Sequence, residues 1–483
     1  MPSQPLQSLL DDTVAAYSQL VAADDQAQCF ANLLEVEQQV AQLAVELGRR
    51  LLQTFTEVRR QQAKATPRRC ACGRLMEWHA TSQWRHGTQF GDLHVSDAYA
   101  YCRTCHASAR PVHGWLGTGV ERWSLAVEEQ VVDLAADESC QHAVAKLQRH
   151  HPGLVVGRST ALRLLHRHGA RAREFVAAKL AVALAAAAQE GRRAGVAELE
   201  VEYDGGMIPV ATLEPLTPPP GQAPERTPVR GLPKRHKNCR WEEAKLGLVQ
   251  VPGEVEGRLY TVRPTGELDE AFSDLLGLAC LKGWSEQTQV RGLADGARHI
   301  RPRLAETFHA CDFRFILDRP HAKEHLGTAG EQVEKLGGVP KQAWADQALD
   351  RLESGAAPAV VTELRQAATR ATDKQAQDTL RLEADYFERN HDAVAYQEYR
   401  ERGWSTASSE VESGHRSVVQ VRVKLPGTWW HPDKVQNILA LRMLKANGWW
   451  DEYWEQQRQH WKERARDLRT TNPRTQIRSA AAA

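Results

Sequence analysis

A chain of 483 residues has room for two to four domains at ~100–200 residues each. Hydrophobic residues at 42% and charged residues at 25% are ordinary globular values and exclude wholesale disorder. The 62 Lys+Arg against 61 Asp+Glu leave a net charge of +1, which excludes nucleic-acid binding by bulk charge, so any such contact must come from local patches.

Residues 6–62 read as helix, with Leu33, Val36, Val40, Leu43 and Leu47 forming a short a/d seam. The segment before the seam has two aspartates and no basic stretch ahead of its apolar residues, so no signal peptide is expected. Residues 66–112 are short alternating stretches with turn residues and hold four of the nine cysteines. The odd total fits a reducing compartment. Cys70 and Cys72 form one close pair and Cys102 and Cys105 another, with 29 residues between them. Two Cys knuckles joined by a hairpin-sized spacer suit a tetrahedral structural Zn²⁺ of the ribbon type.

Residues 124–168 carry three helical patterns, the last opened by Ser159 as a candidate N-cap. Arg163 and Arg167 lie one turn apart on its expected exposed face, a helix-turn-helix layout that could enter a major groove. An Ala-rich helix over 171–195 follows. Its apolar run, 175–188, holds Lys179 and is short of the ~20 residues that span a bilayer, so no membrane contact is expected and the location is read as cytoplasmic.

From 196 the pattern is α/β. The run ending in VEYDGG reads as a strand that stops at a turn with Asp204 at its tip, and QVRGLADGA repeats the arrangement at Asp295. A Pro-rich basic loop carries Arg230, Lys234, Arg235, Lys237 and Arg240. Asp318 and His321 follow another strand at D-x-x-H spacing, and residues 321–404 are charged and helical. Ser409-x-x-Glu412 reads as a capping box, trailed by Arg416, Arg422 and Lys424. Trp429, Trp430, Trp449 and Trp450 read as packing residues rather than base-stacking ones. Residues 451–483 form a basic tail, with seven Lys/Arg against two acids between 458 and 478. Taken alone, composition and spacing point to an acidic divalent-metal site and no further.

The ordered motifs YDGGMIPV, RWEEAKLGLV, LADGA, FILDRPHAKEHL and SSEVESGHRSV…NILALRMLKANGWWDEYW resemble the DDE transposases of bacterial insertion sequences, in the ISKra-type branch related to the Mutator-like group. The resemblance spans roughly 200–454, and the Cys pairs and the helix-turn-helix region match the N-terminal layout. It implies a multidomain α/β chain: a helical region (1–62), a zinc-ribbon-like module (66–112), a DNA-binding region (113–170) and a linker helix (171–195). An RNase H-like core with a mixed sheet (196–320 and 405–450), split by a helical insertion (321–404), would follow.

Carried over, Asp204, Asp295 and Glu412 match the catalytic acids, which would hold two Mg²⁺ or Mn²⁺, and Asp318 and His321 match an accessory pair. An assignment of Asp318 as the second catalytic acid is the alternative; Asp295 is preferred because it ends the strand expected fourth. The implied partner is double-stranded DNA, bound by at least a dimer. Where the family has Gly-Ser-Gly before Val-Glu-Ser, this chain has Ala407-Ser408-Ser409. A non-catalytic, zinc-containing DNA-binding regulator is the competing expectation.

Overall fold

The computed structural model describes residues 4–25, 32–116, 122–190, 195–215, 235–254 and 256–470. They fall into two compact units, 1–165 with 451–483, and 166–450.

In the first unit α1 (Gln4–Asp25) and α2 (Leu33–Ala65) precede a three-stranded antiparallel sheet, β1 (Glu77–Thr88), β2 (Gly91–Tyr101) and β3 (Ser108–Ala109), in the order β1-β2-β3. Leu93 and Val95 alternate inward along β2 and pack with Val112, Leu52 of α2 and Trp115. Gln53 of α2 binds the backbone of His94 in both directions, at 2.8 and 2.9 Å, which fixes the helix on the strand. Buried Asp97 accepts from the N–H groups of Val112 and His113 at the start of α3 (Pro111–Leu116). The expected seam on α2 is open at Leu33 (80% exposed) and Val40 (39%) and half-buried at Val36, Leu43 and Leu47.

Two capped helices follow, α4 (Leu125–Asp137) and α5 (Cys140–His150), with Ser124 and Ser139 accepting from Val127 N–H and His142 N–H. The next helix, α6 (Arg158–Glu190), begins one residue before Ser159. The carbonyl of Gly157 takes the first helical bonds, from Thr160 and Ala161. The sequence reading of Ser159 as N-cap is therefore corrected, and the expected third and linker helices are one element, because nothing between 168 and 171 breaks the periodicity.

The second unit is built on a five-stranded mixed sheet. Its strands are β4 (Glu198–Pro215), β5 (Arg235–Gln250), β6 (Leu259–Pro264), β7 (Gln289–Ala294) and β8 (Asp312–Leu317), ordered β6-β5-β4-β7-β8. The pairs β4–β5 and β5–β6 are antiparallel, while β4–β7 and β7–β8 are parallel. Helices α7 (Leu268–Leu281) and α8 (Ile300–Thr307) supply the crossovers between β6, β7 and β8.

Side chains alternate along each strand, so the two faces can be read from the register. Tyr203 stacks near Phe272 of α7, and Gly247 and Gly292 lie against Leu275 of α7 and Leu304 of α8. That face is apolar and covered by α7 and α8. The opposite face carries Glu200, Glu202 and Asp204 on β4, and Leu246 on β5 meets Gly414.

Five helices follow β8: α9 (Arg319–Lys335), α10 (Lys341–Glu353), α11 (Ala357–Arg370), α12 (Lys374–Arg389) and α13 (Tyr396–Glu401). The chain then returns through α14 (Ser409–Gly414), which runs on as a π-helical turn (His415–Gln420) into α15 (Val421–Val423), and ends the unit with α16 (Pro432–Ala446). The final helix, α17 (Trp450–Thr470), joins the first unit: Arg458 pairs with Glu129 at 3.0 Å and Trp461 Nε1–H donates to the carbonyl of Leu116. No described helix is long and apolar enough to cross a membrane.

Candidate functional site

The sulfurs of Cys70, Cys72, Cys102 and Cys105 lie within 4.8 Å of one another. Cys70 Sγ is 3.1 Å from Cys105 Sγ, and Cys72 Sγ is 3.6 Å from Cys102 Sγ. A tetrahedron of Zn–S bonds near 2.3 Å needs sulfurs roughly 3.8 Å apart, so the set is compatible with structural zinc.

The backbone explains why two unequal knuckles converge. After each pair the chain turns left-handed, at Gly73 (φ 83°) and at His106 (φ 57°), and these residues donate their N–H groups back to the carbonyls of Cys70 and Cys102. Glycine has no Cβ penalty there; His106 has one, and its ring is held by the Tyr101 hydroxyl. The Cys105 N–H draws the Cys102 thiol down to about 6, while bonding to Cys70 pushes the Cys105 thiol up to about 12. Four sulfurs this close cannot all ionise without a cation among them. None of the eight described cysteines is in a disulfide.

The acids are arranged differently. Asp204 does not end its strand: β4 runs eleven residues further, paired with β5 to Pro215↔Arg235. The sequence reading of a strand stopping at Asp-Gly-Gly is corrected, because those glycines serve close packing. A side chain at 206 would meet His415 Nδ1 2.6 Å from its Cβ, and one at 205 would meet Glu243 and Lys245. What stops near Asp204 is the parallel partner. The last matched positions are Tyr203↔Ala294↔Leu317, so Asp204, Asp295 and Asp318 occupy the next step on three adjacent strands.

Their environments separate their roles. Asp318 is fully buried and spent: Oδ2 accepts from the His321 N–H (2.9 Å) and ring Nδ1 (2.6 Å), and Oδ1 from the Ser408 N–H (2.6 Å) and hydroxyl (2.9 Å). Burial pushes Asp318 up, but those hydrogen bonds outweigh it and hold it below the usual range. The same bond lifts His321 to about 9, against burial, with the charges of Asp295 and Asp204 adding to the effect. His321 is thus an imidazolium facing the acid pair. Asp204 is pushed up by burial and by Asp295, against His415. Asp295 accepts from the Ala297 N–H, and the hydroxyl of Tyr386, from α12, donates to its carbonyl at 2.7 Å.

Glu412 lies on α14, which meets this face through the Val411 amide and His415. The expected capping box is absent: Ser408 is the N-cap, makes no side-chain cap bond, and turns instead to Asp318. Two buried carboxylates take the amides at this helix start, Asp318 that of Ser408 and Glu202 that of Val411 at 2.7 Å. Burial raises Glu202 to about 8, so it is a neutral acid whose Oε1 has no partner among the described residues. Three residues beyond Glu412, His415 lies 3.5 Å from Asp204 Oδ2. Glu412 itself is 43% exposed, with Arg416 at 3.9 Å. Among the described residues only the cysteine quartet brings three or more ligand atoms within 4.8 Å; Asp204, Asp295 and Glu412 do not close to that distance.

Glu200 and Glu202 escaped the sequence reading, although their signal was present. In L-E-V-E-Y-D every second residue from 200 is acidic, all on one face of a buried strand.

The basic residues scatter. Arg163 is exposed, but Arg167 is half-buried with Nε and Nη2 inside the protein, so the expected shared exposed face is corrected: the helix turns the second arginine inward. Arg422 is also corrected, being 2% exposed and stacked on Trp430 at 4.8 Å. Lys237, Arg240 and Arg416 are exposed and Lys424 is half-buried, while Arg235 opens β5. Arg230 and Lys234 lie outside the described residues. Trp430 and Trp449 are buried as expected; Trp429 and Trp450 are half-exposed. No known family model matches the chain, and no curated protein matches it.

Proposed function

We propose that the chain is a DDE-type DNA transposase with an RNase H-like core, cutting DNA at transposon ends and joining the freed 3′ ends to target DNA. The observation that carries this reading is the neighbouring of Asp204 and Asp295 at the end of a parallel strand pair. The helix bearing Glu412 docks over the same face. The sheet supports it too: numbered within the unit, the strand order is 3-2-1-4-5, with the first three antiparallel and the last two parallel to the first.

The donor set fits Mg²⁺ or Mn²⁺, which prefer hard carboxylate oxygens and keep water in their shells. Asp204 and Asp295 would hold the ions, with Glu412 completing the set from α14. When bound, such a pair activates an attacking oxygen and offsets charge at the phosphate. The chain's own groups do the rest. Asp318 fixes the protonated His321 beside the acids, where its charge attracts a phosphodiester. Lys237, Arg240, Arg416 and Lys424 hold the backbone without reading sequence, and α4–α6 read the end. The cysteine quartet holds a structural Zn²⁺.

The test is nicking of an oligonucleotide carrying the element's terminal repeat, with and without Mn²⁺, by wild type and Asp204→Asn in parallel. Metal-dependent nicking lost in the variant supports the reading; equal nicking by both defeats it. One observation favours the competing reading of a non-catalytic zinc-containing DNA-binding regulator: the Glu412 carboxylate is half open and lies against Arg416. End binding without any nicking would decide for it.

A further inference from the structure

Past the ends of β6 and β7, β4 and β5 continue as a two-stranded arm, residues 207–215 paired with 235–243. The arm carries an unusual surface for a water-facing ribbon. Trp241 is 54% exposed, and Leu213 is 59% exposed opposite Lys237. Trp429 stands beside Trp241, ring centroids 6.0 Å apart and planes at 61°. Lys237 Nζ lies 5.4 Å from the Trp429 ring and Lys424 Nζ 6.0 Å from the Trp241 ring.

The patch is held in shape. The loop bearing Trp429 is stitched to the free edge of β4 by Ala211 N–H to Trp430 carbonyl (2.8 Å) and Trp430 N–H to Pro209 carbonyl (3.1 Å). Trp430 beneath it is anchored through Nε1–H to the carbonyl of Val423. His236 and Arg240 add further cationic or protonatable groups; the acids nearby are already used, Glu242 by Arg240 and Glu214 by Asn238.

We infer that this arm is a stacking platform for unpaired nucleotides of DNA. Exposed tryptophan faces with ammonium groups beside them match a strand whose bases are bare and whose backbone is anionic, and not a duplex, whose bases are stacked inside. Trp241 pairs with Pro209, five residues along β4 from Asp204, or roughly 17 Å at ~3.3 Å per residue. By register Trp241 stands on the face of the ribbon opposite Asp204, so a strand frayed or cut near the acids reaches the platform around the edge of the ribbon. The inference rests on the DNA-transposase reading and adds to it the form of DNA that the arm selects.

The test measures binding of the full-length chain to a duplex with a short single-stranded 3′ overhang and to the same duplex blunt, in Mn²⁺- and Mg²⁺-free buffer. Wild type should prefer the overhang, and Trp241→Ala or Trp429→Ala should lose roughly 5- to 100-fold in overhang affinity with blunt-end binding unchanged. Trp241→Phe, which keeps a π-face, should recover most of it. Overhang affinity unchanged in both alanine variants overturns the platform while leaving the DNA reading intact. Wild type that binds neither DNA overturns both. Tryptophan quenching that rises with protein concentration alone assigns the patch to a second copy and overturns the proposal.

Discussion

The cysteine quartet and the acid row are both candidate metal sites, and they differ in how the chain assembles them. Two hydrogen-bonded knuckles, each closed by a left-handed residue, deliver four sulfurs to one point. The acids come from two strand positions and a helix, and they stay apart. Closed sets suit a metal that braces the fold, whereas catalysis needs open positions for substrate. Local turns can build the first kind alone. The second needs a sheet register and a long-range dock, here supplied by Glu202 and Asp318.

The largest effect expected from this contrast is on folding. On the proposed zinc reading, chelation or Cys72→Ser should unfold β1–β3, since structural zinc contributes on the order of 10 kcal/mol. Loss of amide protection confined to the first unit would show it, and native mass spectra without bound metal would refute the closed site.

Next, Asp204→Asn should cut nicking by about a thousandfold, the several kcal/mol of charge stabilisation a metal site supplies, with the melting temperature little changed. Third, Asp318→Asn should destabilise the second unit by roughly 3 kcal/mol, because it breaks a buried pair. Urea titration measures the loss. His321 should also lose its elevated protonation, visible in its NMR titration.

The smallest effect is a matter of pH. Glu202 is neutral in the fold up to about 8 but ionises near 4.3 once unfolded. The folded state therefore binds the extra proton in that window, and stability falls as pH rises from about 4.3 to about 8. Glu202→Gln keeps an acceptor for Val411 and should flatten that slope, giving its greatest relative gain above pH ~8. An unchanged slope would mean that Glu202 titrates normally.

The same contrast governs what was legible in the sequence. Paired cysteines announce their site because the ligands are neighbours in the chain. Helices α4 and α5 were equally legible, since Ser124 and Ser139 cap them locally. Asp204 and Asp295 could be singled out as acids beside glycines, but their adjacency depends on β4 pairing with a strand some ninety residues away. Local logic misled at Ser409 and Glu412: the helix takes Ser408 as its N-cap, and Ser408 turns to Asp318, 90 positions away. It misled again at Arg167, whose inward turn is set by tertiary packing and not by its helical spacing.

The first unit is made from both early and late sequence: α17 returns to it through Arg458 and Trp461. During synthesis the second unit, one uninterrupted stretch, can therefore fold while the first still lacks a helix, as domains generally fold as units as they emerge. Until residues 451–470 leave the ribosome, Leu116 and Glu129 wait without their partners. A ribosome stalled before that point would carry a finished sheet of aspartates and an incomplete helical unit.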